Sequence, residues 1–146
     1  MTNLRDDEAE LQRISLLYAR ACDRCDGEAF GAIFAEDALL HGPGFRAEGL
    51  KAIKENIAPF LKKLFLKTLH LVHNVMVEVK GDTATGETYS FAHHITKKPD
   101  GSLNDYIMAI TYNDDYVRQS GRWLIKERRL LLNWTQNLPV EEPQSV

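Results

Sequence analysis

Two ionisable side chains of this sequence lie in otherwise apolar surroundings, where their chemistry would be strongest. Asp23 lies near the end of the first amphipathic segment, and His70 lies between Leu69 and Leu71 at the start of a strand-like segment. A carboxylate can accept one ring N–H of an imidazole while the other ring nitrogen takes up a proton, and a water-poor site strengthens this pairing. A general base of this kind contributes on the order of 10²–10⁴-fold to a rate. The ordinary alternative for Asp23 is a turn residue that binds local backbone.

Three further histidines and one arginine are candidates for the same site. His94 ends the next strand-like segment, Arg128 is embedded in the last one, and His41 follows a short apolar stretch at the expected pocket rim. His73 competes with His70 as the base, because residues three apart on a strand point to opposite faces and a bulge can shift that alternation. Residue types alone leave ordinary interpretations open, such as a half-buried histidine with one hydrogen bond or an exposed strand arginine.

The sequence lacks the spacing that metal and nucleotide sites need. Cys22 and Cys25 form a CxxC pair, but no second pair completes the four ligands of a structural zinc ion, so we expect two packed free thiols. Adjacent strand residues such as His93 and His94 point to opposite faces and cannot share one ion. Phosphate-binding glycine loops and the nucleophile elbow of serine hydrolases are missing as well. We therefore expect no metal and no cofactor.

Composition indicates a globular domain with a substantial core. The chain has 146 residues, 44% of them hydrophobic, and a formal net charge of -3. This mildly acidic balance argues against a nucleic-acid partner, because phosphate binding needs clustered lysine and arginine. No run approaches the ~20 apolar residues of a membrane span, and the charged N-terminus lacks the apolar core of a secretory signal. Because two cysteines cannot form a disulfide framework, we expect a reduced, cytoplasmic protein without a membrane partner.

Hydrophobic periodicity predicts helices in the first half of the chain. Residues 7–25 carry apolar side chains at three- and four-residue steps, which is typical of an amphipathic helix. A shorter helix is predicted over residues 30–34, and a third begins near Gly49. Pro59 predicts a kink or an early end in this third helix, because proline lacks a backbone N–H. A brief apolar stretch at residues 38–41 separates the second helix from the third.

The second half of the chain has the pattern of a β-sheet. Alternating β-branched residues and glycine-containing turns predict four strands, at residues 69–80, 83–95, 105–117 and 122–134. Helices followed by an antiparallel meander imply an α+β fold. We assign residues 1–137 to a single domain and expect residues 138–146 to form a loose C-terminal tail.

Several local patterns, taken in their order, resemble the SnoaL-like branch of the NTF2-like superfamily. The resemblance runs from about Glu8 to Trp134. It implies a cone-shaped, curved antiparallel sheet that N-terminal helices close around an apolar pocket. The patterns are Tyr18-Ala19-Arg20-Ala21-Cys22-Asp23, Phe34-Ala35-Glu36-Asp37-Ala38, Gly49, His70 with Asn74, Gly81-Asp82-Thr83-Ala84, Asp115-Tyr116-Val117-Arg118, Gly121-Arg122-Trp123 and the strand with Arg128.

The resemblance assigns roles to the candidate residues. In the lyases of this family, which include scytalone dehydratase and a dehydrochlorinase, an aspartate at the position of Asp23 orients a histidine at the position of His70. That histidine removes a proton from the substrate, so the resemblance selects His70 over His73. Arg128 matches the arginine that stabilises the departing group, and His94 is similar to a second catalytic histidine. His41 remains an additional candidate for substrate contact.

Two departures from the family pattern narrow the expected chemistry. Tyr18 stands where the dehydrochlorinase has a catalytic lysine, which argues against halide elimination. Cys22 occupies the place of one substrate-side tyrosine of scytalone dehydratase. The resemblance thus implies a cofactor-independent lyase or isomerase, dehydratase-like, that acts on a small hydrophobic cyclic or aromatic compound.

A non-catalytic function is the alternative, because this scaffold also serves as a small-molecule-binding or assembly module, such as the small subunit of ring-hydroxylating dioxygenases. Aromatic and apolar side chains on the predicted strands favour core or interface positions over a substrate pocket. We therefore expect a homo-oligomer, a dimer or trimer, built on the outer face of the sheet. The side chains concerned are Tyr89, Phe91, Tyr106, Met108, Tyr112 and Trp134.

Overall fold

The computed structural model describes residues 3–141 as two α-helices, one 3₁₀ helix and six strands. The first half contains both α-helices, and the second half consists of four long strands joined by short turns. In chain order the elements are α1 (Leu4–Asp23), the 3₁₀ helix (Glu28–Ala32), β1 (Phe34–Gly42), β2 (Phe45–Glu48), α2 (Leu50–Leu64), β3 (Lys67–Lys80), β4 (Thr83–Lys97), β5 (Leu103–Gln119) and β6 (Arg122–Val140).

The six strands form one sheet in the order β2-β1-β6-β5-β4-β3. Strands β3 to β6 make the predicted antiparallel meander, whereas β1 returns beside β6 and pairs with it in parallel. Bulges interrupt β1, β3 and β6, and such irregularities increase the bend and twist of a sheet. The helices cover one face, with α1 lying against β3. The predicted α+β fold, a curved sheet closed by N-terminal helices, is confirmed.

The first helix begins and ends earlier than its periodicity predicts. It starts at Leu4 because the side chain of Asn3 caps it by accepting the backbone N–H of Arg5 at 3.1 Å. It ends at Asp23, and Cys25 follows with a φ of 49°, a left-handed conformation that cannot continue a helix. This early end leaves Asp23 on the last turn of α1.

The other short elements correct several predictions. The predicted second helix is a single 3₁₀ segment, and Phe34 already belongs to β1. Strand β2 has no counterpart among the predicted strands. Pro59 does not end α2, which continues to Leu64, because Ala58 and Leu61 are buried against the core and hold the last turns in place.

The C-terminal part of β6 extends beyond the predicted domain boundary. Residues 138–140 are strand rather than loose tail, since they pair with residues 103–105 of β5. Residues 142–146, the rest of the predicted tail, lie outside the described residues.

A buried polar clamp holds the start of α1 against the β5–β6 hairpin. The Asp7 carboxylate accepts two hydrogen bonds from the Arg118 guanidinium, at 2.8 and 2.9 Å, and one from the Trp123 indole at 2.9 Å. Glu10 accepts the backbone N–H of Trp123 at 3.0 Å. These contacts fix the position of the first turns of α1 on the sheet. No helix within residues 3–141 has the length and hydropathy to cross a membrane.

The face of the sheet turned away from the helices carries many exposed apolar side chains. We call this surface the outer face. Phe91 and Trp134 are in aromatic contact on it, with ring centroids 6.0 Å apart. Its largest exposed members are Leu69, Leu71, Met76, Tyr89, Leu131, Trp134 and Leu138.

Candidate active site

Asp23 and His70 form a hydrogen-bonded dyad between the end of α1 and the start of β3. The Asp23 Oδ1 atom lies 2.7 Å from His70 Nδ1, and both carboxylate oxygens accept the backbone N–H of His70, at 3.1 and 2.9 Å. Thr68 donates its hydroxyl to Asp23 Oδ1 at 2.9 Å. The His70 side chain is 7% exposed and that of Asp23 is 21% exposed. The two residue types selected from the sequence are therefore in direct contact.

The Asp23 carboxylate determines which ring nitrogen of His70 donates a hydrogen bond to it. Partial burial raises the pKa of the Asp23 carboxyl, but hydrogen bonds from the ring and backbone of His70 and from Thr68 outweigh it, so the pKa lies below its ordinary value. An ionised carboxylate accepts hydrogen bonds only, so Nδ1 of His70 carries the proton. Nε2 has no hydrogen-bond partner within residues 3–141. The arrangement leaves Nε2 as a proton acceptor.

A bulge in β3 decides which histidine turns toward the helices. The register between β3 and β4 shifts between Val72 and Val75, so His70 and Val75 lie on the same inner face although they are five residues apart. His73 falls within the bulge and is exposed, with its ring against Phe91 at 5.2 Å between centroids. His70, and not His73, therefore belongs to the inner site.

His70 lines a narrow cleft between α1 and the sheet. The cleft encloses about 190 Å³, its open mouth included, and has no place wide enough for a water molecule. It is narrower and more polar than the pocket that the family resemblance implies, since only Ala19 and Val72 among its lining residues are wholly apolar. The lining side chains are Ser15, Tyr18, Ala19, His70, Val72, Thr88, Ser90, Tyr112 and Arg128.

Arg128 is fully buried at the floor of this cleft. Its Nε and Nη2 donate to the two carboxylate oxygens of Asp114, each at 2.8 Å. Its guanidinium carbon lies 4.3 Å from the ring centroid of Tyr18 and 4.4 Å from that of Tyr112. Arg128 therefore makes a cation–π interaction with each of these two rings. Burial lowers the pKa of Arg128, but Asp114 outweighs it and the pKa is raised overall. Arg128 is thus a permanent cation and cannot donate a proton.

Tyr18 provides a neutral phenol to the cleft. Burial raises its pKa far above the ordinary value, and the nearby Cys22 and Tyr112 raise it further. Its ring packs against that of Tyr112, with the centroids 5.6 Å apart. Burial also raises the pKa of Cys22 to about 12, so the thiol is protonated. Cys22 and Cys25 are free thiols, as predicted.

His94 lies beside the dyad rather than in the cleft. Its ring is 5.6 Å from the His70 ring and 4.5 Å from that of Phe65, between centroids. Nδ1 lies 3.0 Å from the carbonyl oxygen of Tyr106, which can only accept, so Nδ1 carries the proton. Burial lowers the pKa of His94. The residue is therefore a neutral neighbour of His70.

His41 does not reach the site. The parallel pairing of β1 with β6 sets His41 opposite Arg129, which places its side chain on the outer face. There Nε2 of His41 lies 2.8 Å from Glu127 Oε1. The expected position at the pocket rim is wrong, because it assumed that the apolar stretch at residues 38–41 borders the cleft.

A second histidine–aspartate pair lies outside the cleft, so the pairing alone does not identify a candidate active site. His93 Nδ1 lies 2.6 Å from Asp105 Oδ2, and Asp105 also accepts the backbone N–H of His94 at 3.2 Å. This pair lies on the outer face, since His93 is opposite Leu69 in register. What distinguishes Asp23 and His70 is the cleft that His70 lines.

Sequence reasoning missed several polar residues of the site. Thr88 and Ser90 are buried two residues apart on β4, a period-two signal that was available in the sequence. Asp114 lies opposite Arg128 in the β5–β6 register, which no local pattern reveals. Ser15 bonds Thr88 at 3.2 Å and thereby joins α1 to the floor of the cleft.

Comparison with known proteins supports this architecture. A provisionally assigned scytalone dehydratase from Novosphingobium aromaticivorans is 25% identical, with a TM-score of 0.77 over 92% of this chain and 89% of that one. A type 2 hexachlorocyclohexane dehydrochlorinase is 17% identical, with a TM-score of 0.84 over 97% and 96% of the two chains. A provisionally assigned aromatic ring hydroxylase, also from Novosphingobium aromaticivorans, is 21% identical, with a TM-score of 0.77 over 95% of this chain and 96% of that one.

These similar structures establish the fold. A family model built from sequences gives the same assignment. No curated protein matches the sequence. The family model described as the SnoaL-like domain matches residues 4–129, which include the whole cleft. The resemblance stated from the sequence is confirmed, and the chain belongs to the SnoaL-like family within the NTF2-like superfamily.

Proposed function

We propose that this protein is a cofactor-independent lyase or isomerase that removes a carbon-bound proton from a small hydrophobic cyclic or aromatic compound. His70 is the base, and Asp23 orients and stabilises it. The observation that carries this proposal is the 2.7 Å contact between Asp23 Oδ1 and His70 Nδ1 at the wall of a cleft. This contact keeps the proton on Nδ1 and leaves Nε2 to act as the acceptor.

In a dehydration, Nε2 of His70 takes the carbon-bound proton, and the electron pair of the broken carbon–hydrogen bond forms the new double bond as the carbon–oxygen bond breaks. The departing oxygen needs one proton to leave as water. The protonated His70 supplies it directly, or the Tyr18 hydroxyl supplies it and takes back the proton held by His70. Arg128 binds this oxygen but cannot protonate it, and the Asp114 carboxylate already compensates part of its charge. His94 supports His70 from the side.

The residue type at position 18 favours elimination of water over elimination of halide. The similar structure assigned provisionally as a scytalone dehydratase belongs to the dehydratase class. The dehydrochlorinase shares the fold, but by the family resemblance Tyr18 stands where that enzyme has its catalytic lysine. A buried neutral phenol matches an oxygen leaving group, to which it can give a hydrogen bond or a proton.

A binding or assembly module is the second candidate. The observation in its favour is the width of the cleft, which is too narrow for a water molecule and must widen before any ligand enters. The similar fold of the provisionally assigned ring hydroxylase is compatible with such a module. In this case the dyad would only join α1 to β3.

Hydrogen–deuterium exchange separates the two candidates without knowledge of the natural substrate. One- and two-ring cyclic ketones and β-hydroxy ketones are incubated with the protein in D₂O, and deuterium uptake at carbon is followed by mass spectrometry. We expect uptake with the wild type, loss of uptake with His70→Ala, and unchanged uptake with His73→Ala, whose exposed ring is the matched control. Equal uptake by wild type and His70→Ala would exclude the base. A ligand that binds tightly without exchange or turnover would support the module.

We also propose that two or three copies of the chain associate through the outer face. Leu69 is 51% exposed and Trp134 is 54% exposed, and both belong to one continuous apolar surface across β3, β4, β5 and β6. Monomeric proteins rarely leave an apolar surface of this kind uncovered. The free thiols of Cys22 and Cys25 agree with a reducing compartment, and we propose the cytoplasm.

A further inference from the structure

Thr68 is placed to hold the Asp23 carboxylate in its working orientation. Its side chain is buried, and its hydroxyl donates to Asp23 Oδ1 at 2.9 Å. The same oxygen is the partner of the His70 ring at 2.7 Å. Thr68 and His70 are two residues apart on the inner face of β3, so the hydroxyl, the amide and the ring approach the carboxylate from one strand.

The geometry gives the hydroxyl a task that the His70 contacts alone do not perform. Asp23 lies on the last turn of α1, and its side chain is partly open to solvent. A carboxylate held only by His70 can rotate about its terminal bond and exchange one of its hydrogen bonds for water. The Thr68 bond fixes Oδ1 as the oxygen that faces Nδ1, and it also contributes to the lowered pKa of Asp23.

Thr68 does not touch a ligand in the cleft, because it is not among the lining residues. Its cross-strand neighbour is His94, so the hydroxyl lies on the inner face next to both histidines of the site. Its only hydrogen bond through Oγ1 within residues 3–141 goes to Asp23. The side chain is therefore connected to the candidate chemistry through the carboxylate alone.

We propose that Thr68 is a positioning residue of the dyad: its hydroxyl orients the Asp23 carboxylate and thereby keeps the His70 ring in the form with the proton on Nδ1. This inference rests on the proposed function for its catalytic consequence. The positioning itself is a property of the folded protein and can be measured without a substrate.

The test compares Thr68→Val, which keeps the shape and removes the donor, with Thr68→Ser, which keeps the donor. Long-range ¹H–¹⁵N correlation spectra at neutral pH report which nitrogen of His70 carries the proton. We expect one form, with the proton on Nδ1, in the wild type and in Thr68→Ser. In Thr68→Val we expect a mixture with the Nε2 form or loss of the Nδ1–H signal by exchange with water. Thr96→Val is the matched control, because it removes a strand threonine hydroxyl that bonds the carbonyl of Asn104 at 3.3 Å.

Deuterium exchange with a substrate provides the second measurement. Misplacement of a base lowers the rate of the chemical step far more than it changes binding, so kcat should fall about 10- to 100-fold in Thr68→Val while KM stays unchanged. Thr68→Ser, which keeps the hydroxyl donor, should retain most of the wild-type kcat.

An unchanged His70 spectrum in folded Thr68→Val would overturn the inference, whatever the activity. If Thr68→Val does not fold, Thr68→Ala provides the variant without a donor. If the His70 spectrum changes in Thr68→Val but the wild type itself shows no activity, the positioning role is supported and only the proposed reaction is rejected.

Discussion

The carboxylate of Asp23 binds the ring and the backbone of the same residue, His70. Oδ1 contacts the ring at 2.7 Å and Oδ2 accepts the backbone N–H at 2.9 Å. Because Asp23 binds both the ring and the backbone N–H of His70, it restrains the orientation of the ring relative to β3. It also joins the C-terminal turn of α1 to β3, so the position of the helix and the orientation of the base depend on each other.

Replacing Asp23 by asparagine should lower the deuterium-exchange rate roughly 10²–10⁴-fold, because the amide can donate to Nδ1 and so favours the wrong ring form. The fold should be retained, since asparagine has nearly the same shape. The rate is measured on the substrate identified from the ketone panel. Asp26→Asn is the control, since Asp26 is a carboxylate three residues away whose one hydrogen bond within residues 3–141 is to the backbone N–H of Ala29, at 3.2 Å. An Asp23→Asn rate within twofold of wild type would contradict the orienting role.

His94 should make the folded protein less stable as the pH falls below about 6.5, the ordinary histidine value. Burial lowers its pKa in the folded state, so below that pH the unfolded chain binds the proton first and the free energy of unfolding decreases. The loss continues until the pH reaches the lowered value of the folded state. Urea unfolding at pH 7, 6 and 5 should therefore show a smaller decrease in His94→Gln than in wild type.

His73→Gln serves as the control for this pH series. It also replaces a histidine by glutamine, but at an exposed position. Its pH dependence should match that of the wild type. Parallel curves for His94→Gln and wild type would show that His94 contributes nothing to the pH dependence of stability.

Arg128 should contribute strongly to stability because it neutralises a buried carboxylate. Arg128→Met removes the counter-ion of the buried Asp114 carboxylate and leaves it only the hydrogen bond from the Tyr116 hydroxyl within residues 3–141, which should cost about 3–5 kcal/mol in the free energy of unfolding. Arg129→Met, at a half-exposed position on the outer face, should cost about 0–1 kcal/mol. In the double variant Arg128→Met/Asp114→Asn the loss should be smaller than the sum of the single losses, as measured by urea unfolding. Additive losses would contradict the pairing.

The outer face should determine the assembly state. The variant Leu69→Glu/Trp134→Glu places two charges on this apolar surface and should convert the oligomer to a monomer, as measured by light scattering coupled to size-exclusion chromatography. Phe60→Glu introduces a charge at an exposed apolar residue of α2 and should leave the mass unchanged. A wild type that is already monomeric at micromolar concentration would reject the association.

The local elements of the fold could be predicted because their signals are local. The apolar spacing of α1 and the alternation of β3 to β6 follow from the geometry of each element, and Leu11, Ile14 and Tyr18, which share the helical spacing, are all buried. The ends of α1 are predicted less accurately, because the Asn3 cap and the left-handed conformation of Cys25, rather than the apolar periodicity, decide where the helix begins and ends. The order of motifs was sufficient for the family, because it extends over nearly the whole chain.

The sequence by itself determined the α+β class, the family and the two residue types of the dyad. The tertiary structure alone decided that the β3 bulge turns His70 inward, that Asp114 neutralises Arg128, and that His41 faces away from the site. It also decided the width of the cleft. The physical reason is range: periodicity depends on neighbours a few residues apart, whereas strand register, ion pairing and cavity width depend on contacts between residues distant along the chain.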